Sequence, residues 1–355
     1  MASNKIKAVI LANETKDDHG LWLKACERYH EAIDYRVVNL TAGDWFEAVH
    51  REEFDVLLAR PGGLTASYKQ LYDERIHILG LTLGYPVFPA PLEIFIYENK
   101  RFFYSWLKAT QIPHPGTVVC YERREALTHV EKCMFPVVAK LNIGASGSGI
   151  RIIEDRDEAV RYIERTFSSK GAPKRWGPNF ASGGILKRGV HYLLHPADIK
   201  KKIDIYRTKF NQAQTGFVLF QEYIPHEFEW RVVRIGESFF AHKKLKAGEK
   251  ASGSLLKGYE NPPLGLLDFV REITEKHGLY SQAVDVFESE RGYLVNEMQC
   301  FFGQSDPHQM LVDGIPGRYI RTSLGWKIEK GEFNQNQCFD LRLEYVIGQF
   351  KGKRS

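Results

Sequence analysis

Asp285 in AVDVF and Glu297 in VNEMQ lie twelve residues apart across a turn near residues 290–292. A hairpin with that turn brings the two carboxylates together, and strand alternation puts Gln299 on the face of Glu297. Three hard oxygen donors then converge, the kind of set that holds magnesium beside substrate phosphates. Taken alone, the pair fits a solvated hairpin better. The matching cations lie upstream. Lys140 ends the strand-like run FPVVAKLN just before GASGSG at 144–149, and Lys100 precedes it by forty residues. In that loop Gly144, Ser146, Gly147 and Gly149 present little side chain, so backbone N–H groups can approach phosphate oxygens. A third piece, QEYIPHEFE at 221–229, runs from a strand into a turn. It offers the main-chain edge of Tyr223 and Ile224 to an adenine, and Glu222, Glu227 or Glu229 to ribose hydroxyls.

These residues need elements to hold them. KIKAVILA (5–12), YRVVNL (35–40) and FDVLLAR (54–60) read as short strands, each followed by a helical stretch, which predicts an α/β unit with a parallel sheet. No GxGxxG follows the first strand, so a dinucleotide fingerprint is absent. A helix over 66–84, a strand near 85–89 and one helix over 93–110 follow. Strands are expected at 116–121, 135–142 and 150–153, with a helix near 124–133. Further strands are expected at 217–224, 230–235, 238–245, 280–287 and 293–298. A helix is expected at 266–277, and another at 339–350 packed on this second, strand-rich region. Arg60-Pro61-Gly62-Gly63 ends the third strand, where ligands often sit in α/β sheets; a structural turn explains it better than a carboxylate held by Arg60. The segment FFGQSDPHQM (301–310) follows the acidic hairpin and is expected on the acceptor side.

The order Lys100, Lys140, GASGSG, QEYIP, AVDVF, NEMQ resembles the ATP-grasp superfamily, over most of the chain. The resemblance implies an α/β fold, α+β in its C-terminal part. An N-terminal α/β preparatory domain (1–90) would precede a small lobe (91–221) and a large lobe (222–355) that clamp ATP. It implies ATP and Mg2+ as ligands. Lys100 and Lys140 would bind the α- and β-phosphates, and 144–149 would close over the triphosphate. Glu222–Ile224 would form the adenine hinge, Glu229 or Glu227 would hold the ribose, and Asp285 and Glu297 the metal. Arg231 and Lys243 match positions that touch the γ-phosphate or an acyl intermediate. Two departures stand out: Gln299 occupies a position where many members carry Asn, and the segment between the glycine loop and the hinge is unusually long. The implied activity is ADP-forming carboxylate–amine ligation through an acyl phosphate, on amino-acid or peptide-like substrates. The implied assembly is a homodimer.

Composition bounds the alternatives. The chain has 355 residues, 43% of them hydrophobic and 26% charged, with 22 Phe, 17 Tyr and 6 Trp, which excludes disorder. No run of 18 apolar residues would span a membrane. The N-terminal apolar stretch is too short for a secretory signal. Five cysteines without a CxxC predict reduced thiols in a cytoplasmic protein. The net charge of +5 conceals a concentration: residues 166–216 hold ten lysines and arginines against two aspartates, leaving the remainder at −3. That stretch reads either as a solvated face or as a docking surface for an anionic acceptor. Two other readings stay open, a kinase on the same scaffold acting on a polyanionic small molecule and a nucleotide- or nucleic-acid-binding module.

Overall fold

The computed structural model describes residues 5–63, 65–144, 149–173, 213–247, 250–251, 257–302 and 307–354. Most of the basic stretch, 174–212, therefore lies outside the described residues.

The first unit is a parallel sheet in the order β2-β1-β3-β4: β1 (Ile6–Ala12), β2 (Ile33–Asn39), β3 (Val56–Ala59) and β4 (Val87–Phe88). Helices α1 (Gly20–Arg28), α2 (Trp45–His50) and α3 (Ala66–Ile76) connect its strands. Because β1 is central, both of its faces are covered, which is why KIKAVILA turns from alternating to wholly apolar. Ala8 and Ile10 pack with Trp22 and Ala25 of α1. Val9 and Leu11 pack with Tyr72 and Ile76 of α3.

The helix expected over 93–110 is two: α4 (Pro91–Ile96) and α5 (Lys100–Ala109). Between them Glu98 takes a left-handed backbone (φ 50). Asn99 caps the new helix, its Oδ1 accepting from the Phe102 N–H at 3.4 Å. The break matters because it starts α5 at Lys100. There the Lys100 N–H donates to the Asn142 carbonyl (3.2 Å), and the Arg101 N–H donates to Asn142 Oδ1 (2.8 Å). Asn142 lies just beyond the strand that ends in Lys140, so the two lysines are fixed to each other.

The second sheet is antiparallel in the order β5-β8-β6-β7: β5 (Thr117–Cys120), β6 (Val137–Lys140), β7 (Ile150–Ile153) and β8 (Val218–Glu222). Its Val137, Ala139 and Phe220 side chains pack under α6 (Arg123–Val130) and α7 (Arg156–Thr166). Alternation leaves Lys140 and Leu219 on the other face, toward the third sheet, whose core Leu219 joins.

That third sheet runs β14-β13-β9-β10-β16-β15. Its strands are β9 (Phe228–Ile235), β10 (Ser238–Ala247), β13 (Ser281–Ser289), β14 (Gly292–Gln299), β15 (Leu311–Val312) and β16 (Ile315–Thr322). The short β11 (Lys250–Ala251) and β12 (Lys257–Gly258) pair with β10, and β17 (Gly325–Lys330) pairs with β16. The hairpin of β16 and β17 was not anticipated from the sequence. Helix α8 (Leu264–Lys276) covers the outer face, and the Arg234 guanidinium donates to Thr274 Oγ1 at 2.8 Å.

The last helix, α9 (Phe339–Arg354), packs on its expected sheet only in part, through Leu341. Its Phe339, Leu343 and Val346 pack with Trp22 and Ala25 of the first unit, and Arg28 pairs with Asp340. It also reaches the third sheet through Arg342, which donates to Ser281 Oγ (2.9 Å) and to the Cys300 carbonyl (3.2 Å). Apolar residues on several of its sides answer to two partners, so one helical face could not be read from the sequence.

Glu93 makes a second tie between first unit and third sheet. Fully buried, it accepts from the Ala90 N–H (2.8 Å), the Ser281 N–H (2.7 Å) and Gln282 Nε2 (3.3 Å). Burial pushes its carboxyl up to about 7 against the pull of those donors. The folded value lies above the ordinary 4.5, so its contribution is full below 4.5 and is lost as pH rises through about 7. Urea titrations across this range should show that decline in the native protein and a smaller one in Glu93→Gln. Parallel profiles would mean that Glu93 does not titrate there.

Candidate active site

Four strands place a row of side chains across one sheet face. Glu297 of β14 stands opposite Asp285 of β13, Asp285 opposite Arg231 of β9, and Arg231 opposite His242 of β10. One pleat along, Glu229 stands opposite Lys244. Directly paired residues share a face, so the register alone assembles this group. The Arg231 fork holds Asp285 with Nε to Oδ1 at 2.7 Å and Nη2 to Oδ2 at 2.9 Å. Lys244 Nζ bridges Asp285 Oδ2 (2.7 Å) and Glu229 Oε2 (2.6 Å).

A β-bulge joins this row to the second sheet. Pairing shifts between Asp285 and Val286, which face Glu297 and Val295, leaving Asn296 as the extra residue. Its amide turns to the side of Glu297. There Oδ1 accepts from Lys140 Nζ (2.8 Å), and Nδ2 lies 3.3 Å from Glu229 Oε1. Lys140 also donates to the Tyr104 hydroxyl (2.7 Å), which donates to the Asn296 carbonyl (2.8 Å). Lys100 Nζ lies 3.4 Å from Glu297 Oε1. Lysines from α5 and the second sheet thus meet the acids of the third in one network.

Burial sets the electrostatics. Lys100, Lys140, Lys244, Glu229 and Asp285 are buried, and Glu297 keeps about a quarter of its side chain exposed. Burial pushes the Lys140 ammonium down to about 8, only partly offset by Glu297. Burial would lower Lys100 and Lys244 too, but Glu297 and Glu98 raise the first, and Asp285 and Glu229 the second. Desolvation would raise Asp285, yet Arg231 and Lys244 hold it well below its usual value. Glu297 is likewise raised by burial and held low overall, chiefly by Lys100. Four cations face three carboxylates, a surplus suited to an anionic ligand.

The expected site residues divide by position. Lys100, Lys140, Glu229, Arg231, Asp285 and Glu297 come together. Lys243 is a correction: it stands on the opposite face, 4.2 Å from the Phe228 ring centroid and paired with Glu260. Lys244 occupies the inward position, because β10 alternates and residue 244, not 243, shares the face of Arg231. Gln299 pairs with Ala283 on the face of Glu297 and is half-buried. Glu222 is exposed. It accepts from the Gly116 N–H (3.0 Å) and from Arg291 (2.8 and 2.9 Å), which ties second sheet to third. Tyr223 is half-buried, its hydroxyl 3.5 Å from Lys246 Nζ, and Ile224 is buried with Phe287 and Leu294. The Gly144 N–H donates to Glu98 Oε2 (2.8 Å). Gly149 is pressed against Leu141, whose side chain lies 2.9 Å from where a Cβ would stand. Ser146 and Gly147 lie outside the described residues. Arg60 is held by Asp18 at 2.9 Å and lies 4.9 Å from the Phe301 ring centroid.

Asn296, Tyr104, Lys244 and His242 are additions that the sequence reading missed. For Lys244, the strand period counted from Glu229 and Arg231 was the available signal. The bulge that turns Asn296 inward leaves no comparable trace. A cleft of about 620 Å3 opens beside α6, lined by His129, Cys133, Phe135 and Phe220 and by the expected hinge residues Glu222 and Tyr223.

Among the described residues no group of three or more His, Cys, Asp or Glu is placed to hold a metal. The oxygen donors present are Asp285, Glu297 and the Gln299 amide, hard ligands that suit magnesium if Asp285 gives up part of its hold on Arg231 and Lys244. Among those residues no helix is long and apolar enough to cross a membrane.

No protein-family model matches the chain. Over 130 residues it is 28% identical to the carbamoyl phosphate synthase large chain of Clostridium botulinum, covering 36% of this chain and 11% of that one. Over 218 residues it is 24% identical to the alpha-aminoadipate–LysW ligase LysX of Saccharolobus solfataricus, covering 61% and 66%. The chain thus spans less than two thirds of the length of either relative. The solved D-alanine–D-alanine ligase of Bacillus anthracis aligns over 98% of this chain and 99% of its own, with a TM-score of 0.52 and 13% identity. At that identity the likeness is one of fold.

Asp285→Ala would leave Arg231 and Lys244 buried without their shared acid and should cost about 3–5 kcal/mol. The folded-state values of Asp285 and Glu297 lie below 3.8 and 4.5, so their contribution is present above those values and is lost as pH falls through the lower ones. Lys140 has the opposite sign: its folded value of about 8 lies under 10.5, so stability should climb between them, and Lys140→Met should abolish the climb. Chemical denaturation against pH measures all three. A cost under about 1 kcal/mol for Asp285→Ala would show a solvated pair instead.

Proposed function

We propose, from the premise that this chain has the ATP-grasp fold, that it is an ATP-dependent ligase that activates a carboxylate as an acyl phosphate for attack by an amine. One observation carries the reading: Lys100 and Lys140 meet Asp285 and Glu297 in a single buried network between two sheets. The activities for which LysX and the D-alanine–D-alanine ligase are named, both ligations, support it. In this reading residues 1–90 form the preparatory unit, 91–221 the small lobe and 222–355 the large lobe.

A carboxylate resists amines because its oxygen leaves poorly, and phosphorylation supplies a better leaving group. The protein's part is positioning and neutralising charge. Lys100 and Lys140 would hold α- and β-phosphate oxygens, and an anion beside Lys140 would favour its ammonium form. Arg231, with Lys244 in the inward position expected of Lys243, would offset charge that builds on the transferred phosphoryl group. Asp285, Glu297 and Gln299 would hold magnesium, which supplies neutralisation of β- and γ-phosphate oxygens. The main chain at Tyr223 and Ile224 would meet the adenine, and Glu229 a ribose hydroxyl. Burial of the network excludes the water that would hydrolyse an acyl phosphate. A soluble amino-acid or peptide-like acid and amine are the substrates this chemistry suits.

ADP release should appear when amino acids, peptides or small carboxylic acids are supplied in pairs with ATP. Hydroxylamine should trap a carboxylate-dependent hydroxamate. Lys140→Ala and Glu297→Ala should each lower turnover at least about 100-fold while circular dichroism stays native. Retained turnover in both variants would remove the site assignment. Phosphorylation of a hydroxyl without any hydroxamate would make the enzyme a kinase.

A further inference from the structure

His242 closes the cross-strand row at the end away from Glu297 and is 1% exposed. Its Nδ1 lies 2.8 Å from the Gln309 carbonyl oxygen. A carbonyl only accepts, so Nδ1 carries the hydrogen and Nε2 is left with its lone pair. That Nε2 is buried and has no partner among the described residues. A buried acceptor facing nothing is a standing cost in a folded protein. Here it sits beside the charged row and beside the segment that follows the acidic hairpin, since Gln309 belongs to FFGQSDPHQM. Tyr259 lies 6.2 Å from its ring, and His308 lies 5.3 Å from Tyr259.

The charged groups that face it are Arg231 from β9, Lys257 from β12 and, more distantly, Asp285 from β13. Burial above all, then Lys257 and Arg231, push its imidazole down to about 3, so it stays neutral at ordinary pH. The same two cations disfavour an ammonium beside it.

Resting on the ligase reading, we propose that His242 Nε2 accepts a hydrogen bond from the attacking nitrogen and thereby selects a neutral amine as acceptor substrate. The nitrogen lone pair then points away from His242 and forms the new C–N bond to the acyl carbon. The C–O bond to the phosphate breaks, its electron pair stays with the phosphate, and the proton released from nitrogen leaves as hydrogen phosphate. His242 remains neutral throughout and orients the nucleophile.

Hydroxylamine serves as the probe, being a small nucleophile that is largely neutral near pH 7. With ATP and a pool of amino acids as carboxylate donors, hydroxamate formation is followed against hydroxylamine concentration. His242→Phe should raise the KM for hydroxylamine about tenfold and leave the KM for ATP unchanged. His242→Gln, which keeps an acceptor oxygen, should recover most of the loss. An unchanged KM for hydroxylamine in His242→Phe overturns the proposal and leaves the ligase reading intact. So does equal damage in both variants extending to the KM for ATP, which marks His242 as structural. Absence of hydroxamate in the native protein, with every donor, overturns the ligase reading itself and this proposal with it.

Discussion

Taking charge out of water is the constraint on which the rest of this structure depends. An isolated buried ammonium or carboxylate costs several kcal/mol, and attraction to a neighbour offsets that only where geometry is close and every lone pair is used. Asp285 meets this condition, with both oxygens held by Arg231 and Lys244. Lys140 meets it less well. Its contacts are an amide oxygen and a phenol, both neutral, and its nearest opposite charge acts at a distance. The network therefore contains one over-determined acid and one under-compensated cation. An anion placed beside Lys140 would supply what the protein leaves out.

The bulge at Asn296 is the device that makes this possible. In a regular ladder Asn296 would point to the face opposite Glu297, and nothing from β14 would meet Lys140. One extra residue turns both side chains the same way, so a single strand reaches two lysines: Glu297 takes Lys100 and Asn296 takes Lys140. The broken helix at 97–99 does the complementary work from the other side. It starts α5 at Lys100 and ties that start to Asn142, two residues after Lys140. Two local departures from regular structure, far apart in sequence, thus bring four side chains into reach.

This explains what was legible in advance. The strands of the first two sheets, and β9, β10, β13 and β14 of the third, were readable within a few residues, because alternation and apolar runs report burial directly and KIKAVILA shows both patterns; the hairpin of β16 and β17 was missed. The acids were readable because a hairpin with a short turn leaves few registers. Lys243 was misplaced by one residue. Two adjacent lysines cannot be told apart by type, and only the period counted from Glu229 and Arg231 assigns the inward one. The bulge, the helix break and the position of α9 were not readable, since each answers to a contact made more than thirty residues away. The start of α5 is an ordinary stretch of helix until Lys100 and Arg101 donate to Asn142, and Arg342 is an ordinary surface cation until it reaches Ser281 and Cys300.

Those distant contacts also fix how the site stands relative to the first unit. Glu93 at the head of α4 accepts from the backbone of Ser281, four residues before Asp285, and Arg342 of α9 grips the Ser281 hydroxyl. The strand bearing the central acid is therefore held at its start by two groups from outside its own sheet. One of them carries a raised carboxyl and the other a guanidinium lowered to about 10, mainly by burial in each case. Neither group would tolerate exposure without losing its partners, so any motion that separates the sheets over a ligand must leave this junction closed. The second sheet meets the third through the exposed Glu222–Arg291 pair, through Lys140 and through Leu219 in the shared apolar core. An exposed pair contributes little to stability. Separation on that side would therefore cost chiefly the burial of Leu219 and the contacts of a lysine that the protein already holds at a disadvantage.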